Sequence, residues 1–246
     1  MNRRALVFGT LATAVALGAA IALRFRSPLF SRLYAKLAGE RSIQDVLKKY
    51  GATARARLEP GFAAADIAYP PARVTFVALK REKQLEVWAA NREDWALIKS
   101  YPVCAASGNE GPKLREGDLQ VPEGIYPLTV LNPNSGFHLS IRIGYPNAFD
   151  RAMAEKEGRT DLGGDIYLHG KCVSIGCLAM GDEAIEELFV LVHDVGLNDA
   201  EIIIAPADLR GNSAPVTPNT AIPWSNDLYN AIRKALAPFG GADGVR

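Results

Sequence analysis

The chain has 246 residues, 48% hydrophobic and 22% charged, with a formal net charge of +1. That apolar content excludes a disordered chain, and the near-neutral balance gives no electrostatic footprint for nucleic acid. The length allows one large domain or two small ones.

Asn2, Arg3 and Arg4 precede ALVFGTLATAVALGAAIAL (5–23), nineteen residues without a charge, and Arg24-Phe25-Arg26 follow. A helix needs roughly 20 such residues to cross a bilayer. A cleaved signal has a shorter apolar core and a small-x-small site after it, so the long core closed by arginines favours an uncleaved anchor. A buried soluble helix would be expected to keep a polar face, which this run lacks. Residues 1–26 are therefore expected to be a membrane anchor or signal segment, with the rest of the chain exported. Export permits disulfides, and three cysteines leave at least one outside any intramolecular pair.

Residues 27–72 read as a helical N-terminal region: SIQDVLKKY has Ser42 as its cap, and LEPGFAAADIA follows before Tyr69-Pro70-Pro71 breaks the pattern. VTFVALK (74–80), QLEVWAA (84–90) and ALIKSYPVCAAS (96–107) are β-rich runs between polar turns, the pattern of a meandering antiparallel sheet. GNEGPKLREGDLQVPEG (108–124) is a long loop, and such loops inside compact domains are usually functional. Strands resume in IYPLTVLN (125–132) and FHLSIRIG (137–144), NAFDRAMAEKEG (147–158) reads as a short helix, and DIYLHG (165–170) as a strand. Asp182 is expected to cap a helix whose Ile185, Leu188, Phe189 and Val192 fall at i, i+3, i+4 and i+7. EIIIAP (201–206) reads as a buried strand and NDLYNAIRKALAPF (226–239) as a closing helix. The expected fold is α+β, a mainly antiparallel sheet with flanking helices. Its catalytic domain should span 73–210, with a linker and helix over 211–246.

The stretch YLHGKCVSIGCLAM (167–180) holds one of the three histidines and two of the three cysteines. A zinc site could draw on His169, Cys172, Cys177 and His193, but the cysteines do not have knuckle spacing and no second knuckle exists. A redox pair needs C-x-x-C, and C-V-S-I-G-C is too wide; a disulfide between Cys104 and Cys172, leaving Cys177 alone, stays open. A thiol nucleophile needs a base and backbone donors. Gly176 permits a turn that aims successive N–H groups at one point, so Gly176, Cys177 and Leu178 are the candidate oxyanion donors. His169 ends a strand, and the chain can fold back within eight residues to bring Cys177 to it, favouring the thiolate. The thiol-enzyme reading is the one preferred here.

These residues also resemble a family. His169-Gly170 followed by Ser174-x-Gly176-Cys177 is similar to the signature of YkuD-type L,D-transpeptidases. HGKCVSIGCLAM, with GPKLREGDLQVPEG (111–124), LNPNSGFHLSIRIGYPN (131–147) and GRTDLGGDIYLHG (158–170), looks like the YafK-like branch. The wider family usually has histidine where Ile175 stands, and a longer stretch between the positions of His169 and Ser174; this chain follows the branch at both.

The resemblance implies the mainly antiparallel YkuD-like fold and acyl transfer on peptidoglycan stem peptides in the periplasm, with no metal or organic cofactor. Cys177 would attack the carbonyl of meso-diaminopimelate at stem position three, expelling D-alanine and leaving a thioester for an amine to resolve. His169 would act as base and then acid, oriented by the Gly170 carbonyl. The alternative is an amidase that admits water and hydrolyses the link between diaminopimelate and a wall lipoprotein. An inactive wall-binding module is a remote third reading, because both reactive residues are present. The implied partners are stem peptides, a wall-linked lipoprotein, and the inner membrane through the N-terminal helix. Ser174, His138, Lys113 and Tyr145 are the substrate-binding candidates. Lys113, Arg115, Glu116 and Asp118 give the long loop charges of both signs, suited either to zwitterionic diaminopimelate or to solvent. Tyr145-Pro146-Asn147 is expected to form a turn shaping the cleft, and Arg159 to pair with Asp161.

Overall fold

The computed structural model describes residues 39–91, 94–211 and 221–240. The expected anchor over 1–26 lies outside them, as do residues 27–38 of the N-terminal helical region and most of the C-terminal linker. Among the described residues, no helix is long and apolar enough to cross a membrane.

Ser42 caps the first helix as expected. Its Oγ accepts the Asp45 N–H, and the Asp45 carboxylate accepts the Ser42 N–H, so two orphan donors are satisfied reciprocally. Helix α1 (Ile43–Val46) passes through a π-helical stretch, Leu47–Gly51, into α2 (Ala52–Ala64). The strands are β1 (Arg73–Leu79), β2 (Gln84–Ala90), β3 (Ala96–Pro102), β4 (Ala105–Ala106), β5 (Gly124–Asn132), β6 (Ser140–Ile143), β7 (Tyr167–His169), β8 (Leu178–Ala179) and β9 (Ala200–Ala205). Three more helices are α3 (Ala148–Lys156), α4 (Asp182–Val195) and α5 (Ser225–Leu236), and a short 3-10 turn (Leu197–Asp199) leads into β9.

Among the described residues, nine strands join one sheet in the order β3-β2-β1-β9-β5-β6-β7-β8-β4. The expected meander is its first edge, β1 to β3. Two parallel pairs, β1 with β9 and β7 with β8, interrupt an otherwise antiparallel ladder. Parallel neighbours normally need a long crossover; β7 and β8 are so short that the loop 170–177 suffices.

The central strands are covered on both faces, which is why they read as continuous apolar runs rather than alternating ones. Phe76 and Ala78 of β1 enter a core completed by Leu58 and Phe62 of α2 and by Ile185, Leu188 and Phe189 of α4. Val77 and Leu79 face the other way, against Leu228, Ile232 and Leu236 of α5. The i, i+3, i+4, i+7 stripe foreseen for α4 thus lies on the sheet, with Ile185, Leu188, Phe189 and Val192 all fully buried.

Two local expectations are corrected. Gly181, at φ 80°, is the N-cap of α4, and Asp182 is its first helical residue; the Asp182 carboxylate instead accepts the Lys171 N–H at 2.7 Å. An acid in the first turn still complements the helix dipole there. The strand expected over 137–144 shortens to β6, because His138 adopts φ 78° and turns the chain before pairing begins.

Candidate active site

The site grows from the pairing of three short strands. In the β6–β7 ladder Ser140 faces His169 and Arg142 faces Tyr167; in the parallel β7–β8 ladder Leu168 faces Leu178 and His169 faces Ala179. Side chains alternate across a sheet, so Ile141, Leu168 and Leu178 drop together into the core. Arg142, Tyr167 and His169 stand on the opposite face. Cys177 is the last residue of the turn that leads into β8, the strand beside His169.

His169 is 3% exposed, its ring tilted over Phe137 at a centroid distance of 4.7 Å. Its Nδ1 lies 2.6 Å from the Gly170 carbonyl oxygen. A carbonyl can only accept, so Nδ1 carries the proton and Nε2 is left as the basic nitrogen. Burial lowers the imidazole pKa below its ordinary value, and the Gly170 carbonyl partly opposes this. Gly170 itself is required by close approach: an added Cβ would sit 2.6 Å from both the Phe137 carbonyl and the Asp182 carboxylate.

The loop 170–177 is tied at many points. The Met180 N–H donates to the His169 carbonyl, the Gly181 N–H to the Lys171 carbonyl, and the Lys171 ammonium to the Gly136 carbonyl. Cys172 is bonded to Cys104, whose own N–H donates to the Ala179 carbonyl. Cys104 and Cys172 are thus the disulfide left open above. It removes Cys172 from any metal set, while His193 contacts Asp194 on α4.

Cys177 is partly buried. Its thiol lies 3.7 Å from the Asp165 carbonyl oxygen, to which it donates. Gly176, at φ 117°, makes the turn before it, a conformation that favours glycine. The Ser174 hydroxyl closes that turn, donating to the Cys177 carbonyl at 2.6 Å and accepting the Cys177 N–H at 3.1 Å. Ser174 therefore shapes the backbone around the thiol. The Cys177 N–H, one of three expected oxyanion donors with those of Gly176 and Leu178, is held by that hydroxyl, so stabilising an oxyanion would require the N–H to be shared with it.

The remaining candidates are scattered. Lys113 is buried, and its ammonium binds Asp118 at 2.6 Å and the Arg115 carbonyl at 2.8 Å, fixing the long loop's own turn. The loop's flanks are held by Lys80, whose ammonium reaches the Gly111 and Val121 carbonyls and Glu123. Tyr145 is buried, its hydroxyl 3.1 Å from the Leu162 carbonyl and 3.3 Å from that of Lys113, so it joins that loop to the one before β7. The His138 ring turns to Glu186 of α4, at 2.9 Å, and edge-on to Tyr50. Arg159 bonds to Glu157 and the Leu114 carbonyl rather than to Asp161, whose carbonyl accepts the Glu116 N–H.

Sequence reasoning missed Phe137 beneath the imidazole, Asp182 behind the loop, Asp165 beside the thiol, and Arg142 and Tyr167 at the Asp165 carboxylate. Phe137 and Arg142 belong to FHLSIRIG, but only tertiary structure could have shown that Phe137 packs on the His169 ring and Arg142 pairs with Tyr167.

Over 115 residues the chain is 42% identical to YafK of Escherichia coli, a match covering 46% of this chain and 44% of that protein. The chain thus matches less than half the length of that relative. Among solved structures, the helical cell shape determining protein Pgp2 of Campylobacter jejuni is 24% identical with a TM-score of 0.45, over 54% of this chain and 47% of that one. Bd1075 of Bdellovibrio bacteriovorus is 23% identical with a TM-score of 0.40, over 68% of this chain and 55% of that one. The family profile of the L,D-transpeptidase catalytic domain matches residues 73–204, over half of the chain and including the strand of His169 and the turn of Cys177, and the chain belongs to this YkuD family.

Proposed function

We propose that the chain is a cysteine acyltransferase of the cell wall, acting on peptidoglycan stem peptides. The observation that carries this reading is His169: Nδ1 anchored on the Gly170 carbonyl, Nε2 left basic, on the strand beside β8, which Cys177 directly precedes. Nε2 takes the thiol proton as sulfur attacks the diaminopimelate carbonyl, and returns it to the departing D-alanine amine. The thioester then passes to an incoming amine, deprotonated by the same nitrogen. Backbone N–H groups of the Gly176 turn stabilise the oxyanion, the Cys177 N–H being shared with Ser174. Burial supports a neutral imidazole at neutral pH, as a base requires.

Residues 5–23 and the Cys104–Cys172 disulfide both fit an exported, anchored enzyme in an oxidising compartment. A reporter fused after Arg246 should be active only outside the cytoplasm; cytoplasmic activity would overturn the location. For the reaction, purified protein and tetrapeptide-bearing muropeptides should give dimers joined through diaminopimelate. Release of a lipoprotein-derived peptide from diaminopimelate, with no dimers, would replace transfer by hydrolysis.

A further inference from the structure

We propose that Arg142 and Tyr167 form a carboxylate-binding subsite beside Cys177, selecting acyl donors that carry a free carboxylate next to the carbonyl attacked. The inference rests on the reading of Cys177 as the acylated residue, and adds a selectivity that this reading does not require.

The subsite follows from register. Arg142 of β6 and Tyr167 of β7 are directly paired, and β8, which Cys177 directly precedes, is the next strand over. The Arg142 and Tyr167 side chains stand together on the face opposite the core. Arginine is the side chain best suited to hold a carboxylate, and this one keeps 42% of its side chain exposed. Burial raises the Tyr167 phenol pKa, with the Asp165 carboxylate the next contributor and Cys177 a smaller one. The phenol therefore stays a donor at neutral pH, within electrostatic reach of the thiol.

The protein already contains a carboxylate at the point where the two donors meet. One oxygen of Asp165 lies 3.6 Å from an Arg142 guanidinium nitrogen and 3.4 Å from the Tyr167 hydroxyl. Both contacts are long, and the Asp165 side chain is 76% exposed. A loose, solvated ion pair of this kind contributes little. The arrangement acts as a carboxylate receptor weakly occupied by the chain's own residue, and a substrate carboxylate displaces it. Asp165 holds this place through its backbone, at φ 54°, while its carbonyl accepts the Cys177 thiol. Binding chemistry and the nucleophile thus share one turn.

The test uses two probes of Cys177 that differ in charge, iodoacetate and iodoacetamide. With Cys104 and Cys172 joined, Cys177 is the thiol they report. The ratio of their second-order rates, read by mass spectrometry on the oxidised full chain, should fall about fivefold in Arg142→Ala, the worth of one partly exposed ion pair. Arg142→Lys should restore most of the ratio. Asp165→Asn, in which asparagine tolerates the left-handed backbone, should raise it, and high salt should flatten all of these differences. An unchanged ratio in Arg142→Ala, or a lowered one in Asp165→Asn, would overturn the subsite. Because Asp165→Asn moves the ratio the opposite way, a folding defect in the arginine variants leaves a decisive arm. With peptide donors, Arg142→Ala should raise KM for the free acid and leave KM for its amide unchanged, with kcat similar for both. If the alkylation ratio responds as described but no peptide is turned over, the subsite stands and the proposed reaction falls. Turnover with an unresponsive ratio means the reverse.

Discussion

The two ends of the sheet are built differently. Strands β1, β2, β3, β5 and β9 run six to nine residues each, whereas β6, β7, β8 and β4 run four, three, two and two. The long strands are ordered by apolar burial, on both faces at the centre of the sheet. The short ones bury too little to hold themselves, and are tied instead by the Cys104–Cys172 bond, the Asp182 carboxylate on Lys171, the Lys171 ammonium on Gly136 and the Ser174 hydroxyl on Cys177. The candidate chemistry sits in the second half. Polar ties can fix a thiol, an imidazole and backbone donors at a partly open surface, where close apolar packing would shut substrate out.

The sharpest challenge to this comparison is Cys177→Ala. It should abolish turnover while the chain still folds cooperatively, since the thiol is only partly buried and lies outside the apolar core; residual turnover at a tenth of the wild-type rate would remove the thiol mechanism. His169→Ala should lower acylation by about 10²–10⁴, the usual worth of a positioned base. Because burial depresses the imidazole pKa, the acidic limb of kcat/KM should lie below the ordinary histidine value of about 6.5. The sign for stability follows: the unfolded chain binds this proton more readily, so the stability due to His169 is present above about pH 6.5 and lost as pH falls below it. A pH profile with its acidic limb above 7 would contradict the burial argument.

In the long-strand half, Phe76→Ala should cost about 3–5 kcal/mol by denaturant titration, with kcat per folded molecule unchanged. Phe76 is fully buried on the core face of β1. Removing the disulfide by Cys104→Ala with Cys172→Ala should cost somewhat less, about 2–4 kcal/mol, and leave most activity. Here hydrogen exchange reads the comparison directly. Protection should fall in β7, β8 and the 170–177 loop while β1 and β9 keep theirs; an equal fall in both would show the two halves to be one cooperative unit.

Much of the fold was legible in local pattern. VTFVALK, QLEVWAA and EIIIAP became β1, β2 and β9 to within a residue, because a run covered on both faces is apolar throughout. The Ser42 cap was legible because the capping box is a local device. The short strands were harder to read: FHLSIRIG lost its first three residues to the turn at His138, since nothing in a half-buried run marks where pairing starts.

The sequence by itself determined the site's chemical inventory: a histidine-glycine, a glycine turn and a cysteine in fourteen residues, and apolar strands able to support them. Tertiary structure decided which neighbours join them. His138 and Lys113 looked suited to substrate, yet one is held by Glu186 and the other by Asp118. Asp165, unremarkable in the sequence, accepts the thiol at its carbonyl, and Arg142 reaches its carboxylate. The physical reason is that side-chain direction in a sheet has a period of two, so a one-residue change of register moves a residue from core to cleft. Local sequence sets that alternation; pairing between strands far apart in the chain sets its phase.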